Sequence, residues 1–341
     1  FDMMMAMCVR RCGGVSRVIP RDFRRFFAGV NMELLKKLRG VSGAPIKDCK
    51  KALEETDGDM DEALEWMRKQ GTLVRGKRAS QDATQGLVGV AFEGDDSAAL
   101  VEVTSETDSA VRIEIFHNLL SGVAHSLLST PSDDNVTSLN TSQLEELKWN
   151  SGSKGAHSTV KDAVADAVLQ IRENIFPKRA IRLSVPGGVI GGYVHNVLKT
   201  DIPEVKMGQI GVLVAVEGAS EGKKPEAKEL AHKIAMHVAA AKPEYLSSDV
   251  IPTEKRIAQE DLLKELAKQE GKPDNVIEKM VKGRMQKFYG ETCLLDQSYL
   301  IHDGEGNPPK ISKLLLNQAK NLGADKLTIS SFHCFRLGET S

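Results

Sequence analysis

The sequence predicts an α+β protein built on antiparallel sheets, on three observations. Two pairs of short apolar strands are joined by turn residues, 86–92 with 98–104 across Glu93-Gly94-Asp95-Asp96, and 180–185 with 189–195 across Pro186-Gly187-Gly188. Between and after them lie helical stretches with apolar residues three and four apart. Residues 253–289 break this alternation with two amphipathic helices joined by Gly271-Lys272-Pro273, an antiparallel helical hairpin. The 341 residues suffice for about two domains and a substantial core.

From the N-terminus, residues 1–31 read as a targeting segment. Residues 1–30 carry six arginines against two acids, with neither Lys nor Glu, while the rest has 40 basic and 45 acidic residues. Arginines interleaved with apolar residues fit a mitochondrial or plastid presequence, the alternative being a disordered basic tail. The acidic remainder argues against general nucleic-acid binding, which needs clustered Lys and Arg.

Residues 32–71 predict three short helices. Leu34, Leu35 and Leu38 mark the first, Ser42-Gly43-Ala44-Pro45 breaks it, and Lys47 to Glu55 forms the second. Met60 to Gln70 forms the third, with Gly71 as its stop. Residues 72–85 are basic and polar and read as a linker. A first core subdomain spans 86–179. It holds the 86–104 hairpin, a helix from Ser109 to Leu128, a Ser/Thr/Asn/Asp-rich excursion at 129–158 with one short helix at Ser142–Lys148, and a helix from Val160 to Glu173. A second spans 180–252 and 290–341. Its strands are predicted at 180–185, 189–195, 210–216, 294–301 and 327–337, and its helices at 226–241 and 311–321. A strand followed by a helix at 97–103 and again at 211–216 forms a weak internal repeat. In the hairpin, Ala258, Leu262 and Leu266 mark one apolar face, and Ile277, Met280, Val281, Met285 and Phe288 the other.

No complete catalytic constellation is read from the sequence. Gly71 to Lys77 matches GxxxxGK, but Arg78 stands where a phosphate loop needs Ser or Thr, and a helix rather than a strand precedes it. There is no HExxH or CxxC, and His232 and His237 are five apart rather than four. No metal site, cofactor or catalytic residue is expected, and no apolar run is long enough to span a membrane. The five scattered cysteines do not suggest a disulfide scaffold. Three constellations remain. Ser42 to Ile46 is either a plain helix–helix turn or one that exposes Ile46. Glu106-Thr107-Asp108 stands where a strand gives way to a helix, with Asp108 either a cap or a functional acid. Met236-His237-Val238-Ala239-Ala240 puts a histidine beside an apolar helix face, either satisfied in the core or used at the surface.

In that order, these constellations resemble translation elongation factor Ts, most closely its mitochondrial form. Leu38-Arg39 with Ser42 to Pro45 and Asp48 to Leu53 is similar to the family's N-terminal signature. Glu106-Thr107-Asp108 resembles the start of its Thr-Asp-Phe-Val motif, with Ser109 in place of the Phe. Ile234 to Ala240 with Pro243-Glu244-Tyr245 resembles its helix motif. Gly271 to Pro273 and Lys282 to Tyr289 resemble its coiled-coil hairpin. The resemblance implies a ubiquitin-associated-like bundle at 32–71, two α+β subdomains and an inserted coiled coil. It also implies guanine-nucleotide exchange on organellar elongation factor Tu, as a heterodimer or higher complex acting on the GDP-bound partner. Thr107 and Asp108 would intrude beside the partner's Mg²⁺, Leu38 and Ile46 would dock the bundle, and His237 with Val238 would reach the partner near its phosphate loop. A mitochondrial matrix location follows, with the plastid as alternative. The chain ends soon after Gly338, as mitochondrial members do. The rival function is a ubiquitin-binding adaptor built on the N-terminal bundle, without exchange activity.

Overall fold

The structure, a computed structural model, describes residues 31–78, 83–131, 134–150, 157–269, 273–302 and 306–339. The targeting segment read at 1–31 lies outside the described residues except for Asn31. The chain divides into two compact units, 1–73 and 74–341.

In the first unit, α1 (Met32–Ser42) starts at Asn31, whose side chain accepts the Glu33 N–H at 2.9 Å. It ends at Gly43, whose φ of 63° is the left-handed cap that glycine adopts without a Cβ penalty. Helix α2 (Ile46–Glu55) follows Pro45, and α3 begins at Met60. Leu35, Leu38, Cys49, Ala52, Leu53, Ala63 and Met67 are all buried. Helix α3 runs Met60–Arg78, so Gly71 does not stop it and the basic residues 72–78 are helical rather than an extended linker. An internal glycine costs only about 1 kcal/mol relative to alanine, which the neighbouring turns offset.

The second unit has four layers. Its first sheet runs β3-β4-β2-β1-β6, all antiparallel, from β1 (Gln85–Glu93), β2 (Ser97–Ser105), β3 (Val136–Asn140), β4 (Ile175–Ser184) and β6 (Val205–Gly208). The second runs β5-β7-β8, from β5 (Val189–His195), β7 (Ile210–Glu217) and β8 (Thr328–Arg336). Alternation along β1 and β2 sends Leu87, Ala91, Val101 and Val103 to one face. There they meet Phe116, Leu120 and Val123 of α5 (Glu114–Leu128), Leu144 of α6 (Thr141–Glu146) and Val164 of α7 (Val160–Ile171). Val88, Val90 and Leu100 point the other way, onto Ile190, Leu213 and Phe335 of the second sheet. Behind that sheet, Val212, Val214 and Val216 pack on Ala231, Ile234 and Val238 of α8 (Lys224–Ala241) and on Leu315 of α11 (Ile311–Asn321). Strand β2 is buried at every position because both of its faces are covered.

Several expectations are corrected. The boundary at 179/180 falls inside β4, which pairs with β2 from Ser97↔Ser184 to Ser105↔Ile175 and belongs wholly to the first sheet. Strands β3 and β6 were not expected. Both are short, and β3 is an edge strand whose two apolar residues, Val136 and Leu139, stand three apart and so give no period-two alternation to announce it. The helix expected from Ser109 to Leu128 is two, α4 (Asp108–Val111) and α5, because Ile113, with φ −83° and ψ 138°, is extended and breaks the helical path. Residues 294–301 form a 3₁₀ turn at Leu294–Asp296 and an isolated bridge from Ser298 to Lys310, not a strand. In the hairpin, α9 (Thr253–Gln269) and α10 (Asp274–Thr292) pack through Leu263 and Ala267 against Ile277, Val281 and Met285. Leu262 and Leu266, expected on that seam, are 50% and 41% exposed. The two strands of the weak repeat, β2 and β7, are interior strands of their sheets, each leading into helices that cover an outer face.

Candidate functional site: the β2–α4 loop

Strand β2 ends at Ser105, and the next three residues turn the chain into α4. Thr107 is the N-cap, with φ −125° and ψ 158°, and its hydroxyl oxygen accepts the Ala110 N–H at 3.3 Å. The same hydroxyl donates to Glu173 Oε1 at 2.7 Å. Glu173 Oε2 accepts the Thr107 N–H at 3.0 Å and the Ser105 hydroxyl at 3.2 Å. Glu106 answers across the strands, its Oε1 accepting the Asn174 N–H at 3.0 Å. The cap is therefore Thr107, which settles one of the two readings of Asp108. Asp108 stands in the first turn of α4, where a carboxylate suits the positive end of the helix. Its side chain is 70% exposed and lies 3.6 Å from the equally open Arg112 guanidinium. Ser109 beside it is exposed, while Ala110 and Val111 turn into the core. The loop thus shows solvent an acid and a hydroxyl on a backbone fixed from behind.

His237 is placed differently. It is fully buried on α8. Its Nδ1 accepts the Leu300 N–H at 3.2 Å, so the proton is on Nε2, which donates to Gln297 Oε1 at 2.9 Å. The Gln297 amide in turn donates to the Glu291 carbonyl at 2.8 Å. Burial pushes the imidazole pKa below its ordinary value, and the Gln297 bond opposes that shift. This is the geometry of a satisfied core histidine. What it supports is at the surface: Leu300 is 59% exposed. Val238 is buried against the second sheet. The structure does not bring the two groups together, since Val111 after the loop enters the layer of α5 and α7 while Val238 lies in the layer of α8 and α11.

Of the bundle residues, Leu38 is wholly buried and Ile46 is 50% exposed. Leu38 follows Leu35 by three positions on the inward stripe of α1, so its side chain serves the bundle's interior, not a docking face. The GxxxxGK match at 71–77 lies inside α3, where helical backbone offers no phosphate cradle. Among the described residues, no group of three or more His, Cys, Asp or Glu is placed to hold a metal ion, and no helix is long and apolar enough to cross a membrane. Glu173 escaped the sequence reading because 66 residues separate it from Thr107. Only the β2–β4 pairing brings the two together.

Comparison with known proteins places the chain among translation elongation factors. It is similar to an elongation factor Ts of Rhodospirillum rubrum, 39% identical over 312 residues, which covers 92% of this chain and 94% of the relative. The elongation factor Ts of Maricaulis maris is 40% identical over 315 residues, covering 92% and 93%. That of Bartonella tribocorum is 38% identical over 306 residues, covering 89% and 92%. The model of the family described as Elongation factor TS matches residues 106–339, beginning at the head of the clamped loop. The chain belongs to the elongation factor Ts family. Members of this family are guanine-nucleotide exchange factors for elongation factor Tu in translation elongation and break no bond.

Proposed function

We propose that this chain is the exchange factor of an organellar translation system, acting on GDP-bound elongation factor Tu in the mitochondrial matrix. The observation that carries the mechanism is the exposed Asp108 carboxylate on a loop fixed from behind. Brought beside the partner's Mg²⁺ and phosphates, a carboxylate competes for the cation and repels the phosphate oxygens, which weakens GDP binding. Acceleration requires the chain to bind the nucleotide-free partner more tightly than the GDP-bound one, and GDP in turn lowers the chain's affinity by the same factor. The half-exposed Ile46 supports docking of the bundle on a helix of the partner's nucleotide domain, with Leu38 shaping the bundle beneath it. The complex is a heterodimer or a larger assembly of such pairs.

Two measurements test this reading. In a chase of labelled GDP from elongation factor Tu, the full chain is expected to speed release, and calorimetry is expected to show no GDP binding by the chain alone. No acceleration, or direct GDP binding, would overturn it. The matrix location is supported by the arginine-rich, acid-poor residues 1–30. N-terminal sequencing of the protein from isolated organelles is expected to begin near 26–31, and a start at Arg10 or Arg17 contradicts that.

A further inference from the structure

We propose that Glu173 is the positioning residue of exchange, the group that holds the Thr107–Asp108 loop in its presenting conformation. The proposal rests on the reading of Asp108 as the acting acid. It is drawn from strand register. The β2–β4 ladder ends at the pair Ser105↔Ile175. Continued outward, the same register sets Glu106 against Asn174 and Thr107 against Glu173. At those positions the backbone ladder is replaced by side chains. Glu106 takes the Asn174 N–H, and Glu173 takes the Thr107 N–H, the Thr107 hydroxyl and the Ser105 hydroxyl.

A carboxylate suits this place because it only accepts, with about four lone-pair sites for three converging donors. Charged acceptors also make stronger hydrogen bonds than neutral ones. Glu173 is itself held at a sharp corner. Arg172, the C-cap of α7, has φ 64°, and Ile175 opens β4, so Glu173 sits between two fixed elements. The carboxylate also turns the Thr107 hydroxyl hydrogen toward itself and leaves the oxygen lone pairs toward the Ala110 N–H. The helix cap and the clamp are therefore one device. Removing Glu173 frees the backbone immediately before Asp108, which disperses the carboxylate over many positions. The bulk of the partner contact is left intact, so the loss falls on the rate of GDP release and not on association.

The test uses the full chain and elongation factor Tu loaded with a fluorescent GDP analogue, with release followed over a range of chain concentrations. Glu173→Ala is expected to lower the saturating release rate about tenfold while shifting the half-saturating concentration by less than about twofold, the size expected from losing hydrogen bonds to a charged acceptor. Glu173→Gln can keep an oxygen toward the two donors now at Oε2 and offer its amide N–H to Thr107, and is expected to stay within about threefold of the parent chain. The decisive readout is a double-mutant cycle. In an Asp108→Ala background, Glu173→Ala is expected to cost nothing further, because the two act through one carboxylate.

An unchanged saturating rate in Glu173→Ala, or losses that simply multiply in the double variant, overturns the positioning role while leaving Asp108 as the acting acid. If Asp108→Ala alone leaves release unchanged, the reading of the loop itself falls and the proposal with it. Should Glu173→Ala melt below the assay temperature, Thr107→Val removes the hydroxyl donor from the same carboxylate, and the same cycle decides the question.

Discussion

The imidazole of His237 shows how burial and hydrogen bonding choose between two uses of one side chain. With Nδ1 occupied by the Leu300 N–H, a second proton would have to displace a backbone donor in a fully buried site. The folded pKa is accordingly lowered by burial, and the folded protein holds the ring neutral. The sign of the linkage follows. Above the unfolded value of about 6.5 neither state takes up a proton, and the stability is fully present. As pH falls below that value the unfolded chain binds a proton that the folded chain refuses, so stability declines. His333 on β8, also lowered by burial, adds in the same direction. The melting temperature is expected to fall between about pH 7 and pH 5, and less steeply in His237→Ala, a difference that thermal scans across that range will check. At neutral pH, His237→Ala leaves Leu300 N–H and Gln297 without their partner and opens a cavity. It is expected to cost about 2–4 kcal/mol, read in denaturant melts. Weakened exchange in a variant of undiminished stability would instead restore the surface role.

Ser109 is the position where this sequence parts from the family motif. A Phe there can act as an apolar wedge worth about 1.5–3 kcal/mol, and a serine cannot. Of the two neighbours that could replace the ring, Val111 is buried in the core. Ile113 is 40% exposed but lies past the end of α4 in extended conformation, so it does not share the helix face of Ser109. Ser109→Phe is therefore expected to raise the GDP-release rate, by at most about ten- to a hundredfold if the whole wedge is realised in the transition state. An unchanged rate, with the variant folded and still bound to its partner, would mean that the partner has no pocket for the ring.

The helical hairpin marks where sequence periodicity stops being informative. Leu262-Leu263 and Leu266-Ala267 are adjacent apolar pairs, so a four-residue repeat fits two faces a single step apart. Only the partner helix decides, and Ile277, Val281 and Met285 receive Leu263 and Ala267. Val281→Ala is expected to cost about 1–2 kcal/mol and to speed amide exchange locally in α9 and α10. Leu262→Gln, on the open side, is expected to stay within about 0.5 kcal/mol. The opposite ranking would put the seam where the periodicity first suggests it. The same distinction separates what could be read elsewhere. β5 and α11 match their expected spans because turn residues or a clean apolar stripe bound them. The segment 294–301 reads as a strand, but Leu294 and Leu295 donate to the Tyr245 and Leu246 carbonyls while Tyr299 donates to the Pro309 carbonyl, so it changes neighbours partway and builds no ladder. In the loop, the acid at Asp108 is legible in three consecutive residues, but the cap falls on Thr107 where the sequence offers Asp108, and Glu173 becomes visible only through the β2–β4 register.

The two sheets of the second unit share one interior, and this governs how they come apart. Gly211 lies on β7 facing the first sheet, where an added Cβ would stand 2.6 Å from Leu100 Cδ1 and from Val88 Cγ1, both fully buried. Those side chains have little free space into which to retreat. On the edge of the same interface, the buried Glu102 of β2 takes Arg179 at 2.5 Å and Lys178 at 3.3 Å from β4. Arg179 in turn donates to the Arg336 carbonyl at the end of β8 and lies over the Phe335 ring. A disturbance on one sheet therefore loads the other. Gly211→Ala is expected to destabilise this unit by about 1–3 kcal/mol through overpacking, in a single cooperative transition. Hydrogen exchange gives the sharper check, because overpacking at a shared layer should lower the opening free energy of β1 and β2 amides as much as that of β5 and β7 amides. If only the β5, β7 and β8 amides exchange faster, the sheets open separately, and the loop that carries Asp108 is insulated from the layer that carries His237.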